Sequence, residues 1–450
     1  MLLAFALRVA TLGLQSLDGD EGFTAQIARR SFGDAMSQIP RTESTPPLYY
    51  ALVWLWTKVF GTSEWGLRSL SALAGVAAVP VVYAIGAALK SPRVGLVAAA
   101  FAAVSPLLVW YSQEARAYML FMLLTSVAFL FLLRGRVWLW ALASAAALAT
   151  HYFAAAVIAP MALWMLWRRV PRARGAIGAV TLAGLALLPL LLYQNEHVTR
   201  TWADGLTVKD EVASTSQSFL IGMTWNGLIH RPGVVVLGLL ALALAWRARH
   251  DRSALLPAGV AAFSLIVPLL ASVVGSKYVT PGNELGAWPL IAVALAMGAT
   301  RLLAGAAIAV MLAITLAGPL DADMQRANWR GLVHRLEPAP RGLITLNGHG
   351  DTPVVRYYLR SPGPARPVTE MVVFGRTEPG GATLTTPPLP GMRFVAATRD
   401  RRIAYSIFRG PPALVPAEAY ARQTGSLHQQ PSAPAASRRA TSAAATAGGP

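Results

Sequence analysis

Three carboxylates stand close together near the start of the chain, in the segment SLDGDEGFTAQIARRS (residues 16–31). Asp18, Asp20 and Glu21 follow directly after the first apolar segment. A carboxylate placed there can take a proton from a hydroxyl, as a general base does. The same acids can instead form a solvated loop with a helix cap, because acidic residues favour helix N-termini. This segment alone leaves both interpretations open.

A second candidate segment, WYSQEARAYML, carries Glu114 and Arg116 on a short turn between two apolar segments. Ionisable groups so close to apolar segments are energetically expensive and tend to be functional. The alternative is a local ion pair framed by an interfacial belt of aromatic side chains. The residue types favour neither interpretation over the other.

Other candidate residues lie in three more segments. Lys277 and Tyr278 lie just outside a late apolar segment, in GSKYVTPGNELGAWP. Lys277 can bind an anionic group, or the pair can serve as an ordinary interfacial anchor. Tyr49 lies in STPPLYYALVWLWTKVFG, an aromatic-rich stretch that suits a helix in the membrane interface. His151 lies between two apolar runs, where a lone histidine is more often structural than a ligand.

The composition of the whole chain indicates a membrane protein. Of 450 residues, 55% are hydrophobic and only 13% are charged, against about 25% charged in a soluble domain. The absence of cysteine excludes disulfides, cysteine-bound zinc, iron–sulfur clusters and thiol nucleophiles. The chain also has no Walker loop, HExxH, GxSxG or dinucleotide motif, so no nucleotide cofactor is expected.

A membrane-spanning helix needs about 20 mostly apolar residues. Eleven segments are predicted to span: 2–14, 67–89, 94–111, 117–133, 137–150, 152–167, 176–193, 233–246, 254–274, 286–300 and 302–319. The continuous run from 137 to 167 is predicted to be a hairpin that turns at His151, and Arg301 is the turn between the last two spans. The first segment is short and contains Arg8, which suggests a start further upstream.

The charged residues indicate the orientation. One set of loops holds twelve cations and a single acid, Asp251; the cations are Lys90, Arg93, Arg134, Arg136, Arg168, Arg169, Arg172, Arg174, Arg247, Arg249, Arg252 and Arg301. Short cationic loops stay in the cytoplasm, so the acid-rich loops are predicted to face outward. The net charge of +18 is therefore largely a topology signal, and no nucleic acid is expected as a partner.

The composition changes after Pro319. ANWRGLVHRLE is predicted to be a helix, and LITLN, VVRYYL, EMVVFG, RFVAAT and IAYSIF are predicted to be strands. The predicted domains are a transmembrane domain (1–319), a small outward-facing α/β domain (320–420) and a disordered tail (421–450). The predicted fold class is an all-α polytopic membrane protein with about eleven transmembrane helices and a small C-terminal extracytoplasmic α/β domain.

In their order along the chain, these segments resemble the polytopic glycosyltransferases of the GT-C fold. The resemblance is nearest to family 39, the protein mannosyltransferase and aminoarabinose transferase group. It covers about residues 1–320 and is carried by SLDGDE, PPLYY with the later LRS, YSQEARAY and KY-x-x-P. The resemblance implies that Asp20, with Glu21 beside it, is the catalytic position, and that Glu114 shapes the site or holds a metal. It also implies that Lys277 faces a lipid phosphate.

The predicted reaction moves a mannose-like hexose or an arabinose-like pentose from a polyprenyl phosphate to a hydroxyl of a protein, glycan or lipid. Because phosphate leaves as a stable anion, one general base suffices, whereas glycoside hydrolases need two carboxylates. Asp20 is the predicted base, since the next helical position turns Glu21 about 100° away. In-line attack predicts inversion at the anomeric carbon.

The remaining predicted contacts are to the donor, the acceptor and a metal. Arg116, Lys277, Tyr278, His151 and Tyr49 are the predicted substrate-binding residues. Asp20 and Glu114 also offer the hard oxygen ligands that Mg²⁺ or Mn²⁺ prefers, although the reaction does not demand a metal.

A polytopic transporter or lipid flippase is the alternative function. It would predict internal repeats and charged or broken helices at the middle of the membrane. The sequence shows no duplicated pattern, and its acids cluster in outer loops. The predicted location is the bacterial plasma membrane, with the site and the C-terminus on the extracytoplasmic side.

Overall fold

The computed structural model describes residues 1–198, 207–223, 230–274, 279–320, 325–336, 342–345, 352–359, 367–376, 391–400 and 402–414. The chain divides into two compact units, Met1–Arg326 and Ala327–Pro450. The predicted boundary after Pro319 therefore falls inside the first unit. The predicted tail, 421–450, lies outside the described residues.

The described part of the first unit is helical. Its α-helices are α1 Leu2–Val9, α2 Gly19–Ala28, α3 Phe32–Thr42, α4 Leu48–Phe60, α5 Glu64–Leu89, α6 Pro92–Val104, α7 Pro106–Ser112, α8 Tyr118–Leu133, α9 Val137–Thr150, α10 Ala154–Trp167, α11 Ala173–His197, α12 Val208–Ile221, α13 His230–Ala248, α14 Leu255–Val273, α15 Trp288–Met297 and α16 Arg301–Ala317. Every predicted span overlaps one of these helices, and the predicted break at His151 separates α9 from α10.

The lengths of the helices vary more than the prediction of eleven full membrane spans implies. Among the described residues, four helical segments are long and apolar enough to cross a membrane alone: Glu64–Leu89, Ala173–His197, His230–Ala248 and Arg252–Val273. The pair α6 and α7 adds a fifth if it counts as one span, and five further apolar helices have 10–17 residues. The chain is thus a multi-pass membrane protein in which many spans are short or broken.

The predicted span 94–111 is bent by 57° between α6 and α7. Pro106 has no N–H to continue the helical ladder, which breaks the helix there. Arg8 of α1 satisfies the carbonyl oxygens left at the end of α6, donating from Nη1 to Ala103 O (2.9 Å) and from Nη2 to Ala102 O (2.8 Å). Arg8 is fully buried, so a cation inside the first apolar segment has a structural role at this break.

Helices α5 and α6 cross closely at two glycines. A Cβ atom on Gly86 would lie 2.8 Å from Gly95 Cα and 3.0 Å from Gly95 N, so the two backbones would have to separate. We expect Gly86→Ala to lower the free energy of unfolding by about 1–3 kcal/mol, as overpacking does. Thermal unfolding in detergent measures the effect. Gly178→Ala on α11 is the matched control, because a Cβ there meets nothing within 4 Å. An equal fall in the free energy of unfolding in both variants would contradict this packing.

The second unit combines two helices with a small sheet. Its described elements are α17 Trp329–Leu336, β1 Gly342–Thr345, α18 Thr352–Tyr358, β2 Pro367–Arg376, β3 Arg393–Asp400 and β4 Ile403–Leu414. The strand order is β1-β2-β4-β3, with β1 parallel to β2 and the other pairs antiparallel. The α/β prediction is confirmed, with α18 in the crossover that parallel strands require.

One predicted strand, VVRYYL, is wrong: these residues form α18 and the turn that follows it. Valine and tyrosine favour strands, but strand propensity depends on context. Pro353 stands in the first turn of this helix, where its fixed φ and its missing N–H suit a helix start.

Candidate active site

A buried ion pair joins the loop between α1 and α2, called the first outer loop after its predicted orientation, to the membrane helices. Arg68 of α5 donates from Nε to Glu21 Oε1 (2.7 Å) and from Nη2 to Glu21 Oε2 (2.6 Å), and both side chains are fully buried. The other hydrogen bonds of this guanidinium go to the carbonyl oxygens of Leu12, Gln15 and Ser16. A planar, bidentate guanidinium therefore fixes the chain between α1 and α2 against α5.

Glu21 also connects this loop to the turn between α7 and α8, which carries Glu114 and Arg116 and is called the second outer loop. Its carboxylate accepts from the backbone N–H of Asp18 (2.8 Å), in a capping box that starts α2, and from the backbone N–H of Ala115 (2.8 Å) in the second loop. Burial alone would raise the pKa of Glu21, but Arg68 outweighs burial and the pKa falls to about 2. Glu21 is therefore an ionised structural anchor beneath the site.

Asp20 stands next to this anchor in the first turn of α2, and its side chain is exposed. No described residue donates a hydrogen bond to its carboxylate, whereas its backbone carbonyl accepts from Arg116 Nη1 (3.3 Å). The fixed backbone thus holds a carboxylate whose oxygens remain accessible. Adjacent helical positions have separated the two acids, with Glu21 buried and Asp20 at the surface.

Arg116 forms a second, mostly buried ion pair, with Glu43. Its Nη1 donates to Glu43 Oε2 (2.8 Å), which also accepts from the Tyr50 hydroxyl (2.5 Å). The Tyr50 hydroxyl lies 3.0 Å from Thr45 Oγ1. Burial raises the pKa of Glu43, although Arg116 opposes that rise, and its Oε1 has no hydrogen-bond partner. This pair brings the loop before α4 to the second outer loop and to Asp20.

Glu114 lies two residues before Arg116 on the second outer loop. Its side chain is 14% exposed, and its Oε2 is 3.4 Å from Nη2 of Arg326, whose side chain is 2% exposed. Burial raises the pKa of Glu114 to about 7; the Arg326 charge lowers it, while Glu21 and Asp20 raise it further. Glu114 is therefore near its titration point at neutral pH.

His151 forms part of an aromatic wall at the turn between α9 and α10. Its ring stacks on Phe121 (centroids 4.9 Å apart) and lies 5.7 Å from the Tyr118 ring. Burial, with a smaller effect from the Arg116 charge, lowers the pKa of His151 to about 3, so the ring is neutral. Nδ1 accepts from the Phe153 N–H (3.3 Å), which assigns the ring proton to Nε2.

The structure places the other predicted substrate residues less directly. Tyr49 is fully buried, and its hydroxyl lies 3.4 Å from Ser71 Oγ. Lys277 and Tyr278 lie outside the described residues. The described part of their loop packs on the aromatic wall, since a Cβ on Gly282 would lie 2.6 Å from the Tyr118 ring.

The structure thus brings together Asp20, Glu21, Glu114 and Arg116, with His151 on the adjoining wall. The sequence-based site omitted three residues that hold this arrangement: Arg68, Glu43 and Arg326. Arg68 had a visible signal, because it is a lone cation at the start of an apolar span. Glu43 stood at the start of the loop before α4 in which function was considered, but neither Glu43 nor Arg326 gave a local signal of its ion pair, since each partner is far away in the sequence.

The described residues offer few ligands for a metal ion. None of them form a group of three or more His, Cys, Asp or Glu side chains that could hold one. The predicted pair, Asp20 and Glu114, gives two carboxylates, and Glu114 already has the Arg326 guanidinium as its counter-ion. Two carboxylates are what a protein often supplies to Mg²⁺, with substrate phosphate oxygens and waters completing the shell. Asp20 and Glu114 therefore fit such a site in number and type, although Glu114 is also paired with Arg326.

A family comparison connects this arrangement to known sequences. Residues 44–193 match the profile of the family described as dolichyl-phosphate-mannose-protein mannosyltransferase. The match includes Tyr49, Glu114, Arg116 and His151, whereas Asp20 lies before it. No curated protein sequence matches the chain significantly.

Solved structures are similar to this chain at low sequence identity, and one of them has a TM-score above 0.5. The apo structure of ArnT from Cupriavidus metallidurans has a TM-score of 0.55 and 14% identity, covering 90% of this chain and 96% of that one. The structure of the same protein bound to undecaprenyl phosphate has a TM-score of 0.44 and 15% identity, and it covers the same shares of the two chains. An Archaeoglobus fulgidus oligosaccharyltransferase complex with Zn and sulfate has a TM-score of 0.46 and 15% identity, and the match covers 81% of this chain and 57% of that one.

The fold and the family match agree with the resemblance carried by the outer-loop motifs. The apo ArnT structure covers nearly all of both chains, and the family match covers about a third of this one. The chain therefore has the GT-C fold, which it shares with the apo ArnT structure, and its residues 44–193 match the family described as dolichyl-phosphate-mannose-protein mannosyltransferase.

Proposed function

We propose that this protein transfers a sugar from a polyprenyl phosphate to an acceptor hydroxyl at the outer face of the membrane. One observation carries the proposal: the accessible Asp20 carboxylate is held at the junction of two outer loops by the Glu21–Arg68 anchor and by Arg116. The description of the matched family supports the donor class, because dolichyl phosphate mannose is a polyprenyl-phosphate sugar. The sugar is a mannose-like hexose or an arabinose-like pentose.

Asp20 is the proposed general base. It is the acid at this junction that accepts no hydrogen bond from described residues, so its carboxylate can take a proton from the acceptor hydroxyl. Glu21 cannot reach an acceptor, because it is fully buried and bidentate to Arg68. Glu114 supports the site from the second loop. Attack in line with the departing phosphate inverts the anomeric carbon.

The departing phosphate needs cations beside it. Arg116 is 7% exposed and already paired with Glu43, so it contributes charge from behind the site. We assign the direct phosphate contact to Lys277. The support is that the described part of its loop packs on Tyr118, two residues beyond Arg116 in the chain. His151, Tyr49 and Tyr278 are the proposed residues around the sugar and the phosphate.

Lys277→Ala should raise the donor KM, because it removes a contact to a charged group that is made in both ground and transition states. Initial rates over a range of donor concentrations measure this effect. Lys58→Ala, on a described helix and placed over the Trp54 ring, is a control for losing an interfacial lysine. Unchanged KM and kcat in Lys277→Ala would reduce Lys277 to an interfacial anchor.

No step of this mechanism is routed through the predicted divalent cation. Asp20 and Glu114 are the residues that would hold it, and it would supply positive charge beside the departing phosphate. The base, the anchor and the cations that the mechanism needs are all side chains of this chain.

The proposed orientation places the acid-rich loops outside a bacterial plasma membrane. The chain has no cysteine, so single cysteines can be introduced cleanly. Ser37 is exposed on the acid-rich side, and Arg136 is exposed in a cationic loop. We expect an impermeant maleimide to label Ser37→Cys in intact cells and to label Arg136→Cys only after lysis. Labelling of Arg136→Cys in intact cells would contradict this orientation.

A direct test of the function uses purified protein in nanodiscs with radiolabelled polyprenyl-phosphate mannose or arabinose and a hydroxyl acceptor. We expect label to leave the lipid fraction and enter the acceptor with one of these donors. Label that changes leaflets but stays on the lipid would identify a flippase and overturn the proposal.

A further inference from the structure

Arg326 lies at the end of the first unit, after the last apolar helix, and returns to both outer loops. Its backbone N–H donates to Gln15 Oε1 (2.9 Å), just before the first acidic loop. Its Nη1 donates to the carbonyl oxygen of Gln113 (2.8 Å), and its Nη2 lies 3.4 Å from Glu114 Oε2. The guanidinium also lies 4.3 Å from the centre of the Trp110 ring.

We propose that Arg326 is a positioning residue that holds the Glu114 carboxylate in the geometry needed for sugar transfer. This inference rests on the proposed function. The residue is 4% exposed, and its guanidinium contacts three groups, the Gln113 carbonyl, the Glu114 carboxylate and the Trp110 ring, so its orientation is fixed. A flat guanidinium can stack on an indole ring while two of its edges bind oxygen atoms, which a lysine ammonium cannot do.

The second outer loop has other attachments, so Arg326 is not needed merely to hold its backbone. The Gln113 side chain donates to Leu7 O, Arg8 O and Thr11 Oγ1, all in or beside α1. The Ala115 N–H binds Glu21. What Arg326 adds is the cation beside Glu114, a carboxylate surrounded by the acids Asp18, Asp20 and Glu21. Without that cation, the Glu114 carboxyl group would lose the partner that fixes its position among these acids.

A double-mutant cycle tests whether Arg326 acts through Glu114. The variants are Arg326→Gln, Glu114→Gln and their combination, assayed for kcat and donor KM after thermal unfolding has confirmed that each is folded. We expect Arg326→Gln to lower kcat about 10-fold in the wild-type chain, with little change in KM, and less than 2-fold in the Glu114→Gln chain. Arg326→Lys should restore only part of the rate.

Arg41→Gln is the matched control, because Arg41 is an exposed arginine of outer-loop helix α3, and its kcat should stay within about 2-fold. If Arg326→Gln lowers kcat by the same factor in the wild-type chain and in the Glu114→Gln chain, the proposal is wrong. Full activity of Arg326→Gln would also overturn it. If Arg326→Gln fails to fold, the same cycle with Arg326→Lys gives the answer. Absence of transfer by the wild-type chain would overturn the proposed function as well, whereas equal losses leave that function intact.

Discussion

Asp20→Asn should lower kcat by about 10²–10⁴-fold, the usual cost of removing a general base. Asparagine has the shape of aspartate but cannot take the proton of the acceptor hydroxyl. The exposed carboxylate accepts no hydrogen bond from described residues, so the substitution should leave folding and donor binding intact. The measurement is kcat and donor KM for sugar transfer, together with thermal unfolding of both proteins.

Asp18→Asn is the matched control, two residues away. Asp18 caps α2 by accepting the Gly19 N–H (2.9 Å), and asparagine is about as good an N-cap as aspartate. This variant should therefore keep most of the activity. If Asp20→Asn keeps more than about a tenth of wild-type kcat, Asp20 is not the base. Glu114 would then be the next candidate, because its pKa of about 7 suits proton transfer near neutral pH.

Arg68→Met should destabilise the protein more than any other single change considered above. Removing one partner of a buried ion pair costs about 3–5 kcal/mol, because the other charge stays buried and uncompensated. The substitution would also leave three backbone carbonyl oxygens and the fully buried Glu21 carboxylate without their main donor. We expect a large fall in the thermal unfolding temperature in detergent, with loss of transfer.

Lys90→Met is the control for losing a paired cation. Lys90 lies 3.3 Å from Asp251, but its side chain is 49% exposed. Exposed pairs contribute about 0–1 kcal/mol, so this variant should unfold close to the wild-type temperature. Similar losses from Lys90→Met and Arg68→Met would contradict the role of the Glu21–Arg68 pair as the anchor of the site.

The same pair has a pH signature. Burial raises the pKa of Glu21, but Arg68 outweighs it, so the folded pKa of about 2 lies below the ordinary value of 4.5. A carboxyl group with a lowered folded pKa contributes stability above its ordinary pKa, and that contribution is lost as the pH falls toward the folded value. The contribution of Glu21 should therefore be constant above pH 4.5 and decline between 4.5 and about 2.

The sequence located the helices well because a bilayer imposes length and hydropathy on each span. All eleven apolar segments overlap helices, and even the bend between α6 and α7 coincides with a proline. Local periodicity also separated Asp20 from Glu21. The error in the second unit, VVRYYL, arose where residue preferences for strand competed with a proline that favours a helix start.

The residues that hold the site were harder to predict because their partners are distant in sequence. Arg68 is 47 residues from Glu21, Arg116 is 73 from Glu43, and Arg326 is 212 from Glu114. No local pattern encodes such pairs. The packing of α5 against α1 brings Arg68 to Glu21, and the return of the chain after α16 brings Arg326 to Glu114.

The central claim is that a sugar passes directly from a polyprenyl phosphate to an acceptor hydroxyl activated by Asp20. The most direct measurement is a single turnover with a donor of known anomeric configuration, followed by NMR of the product and quantification of released polyprenyl phosphate. Direct attack predicts one polyprenyl phosphate per sugar transferred and a product of opposite anomeric configuration. Retained configuration, or sugar that stays on the lipid, would contradict the claim.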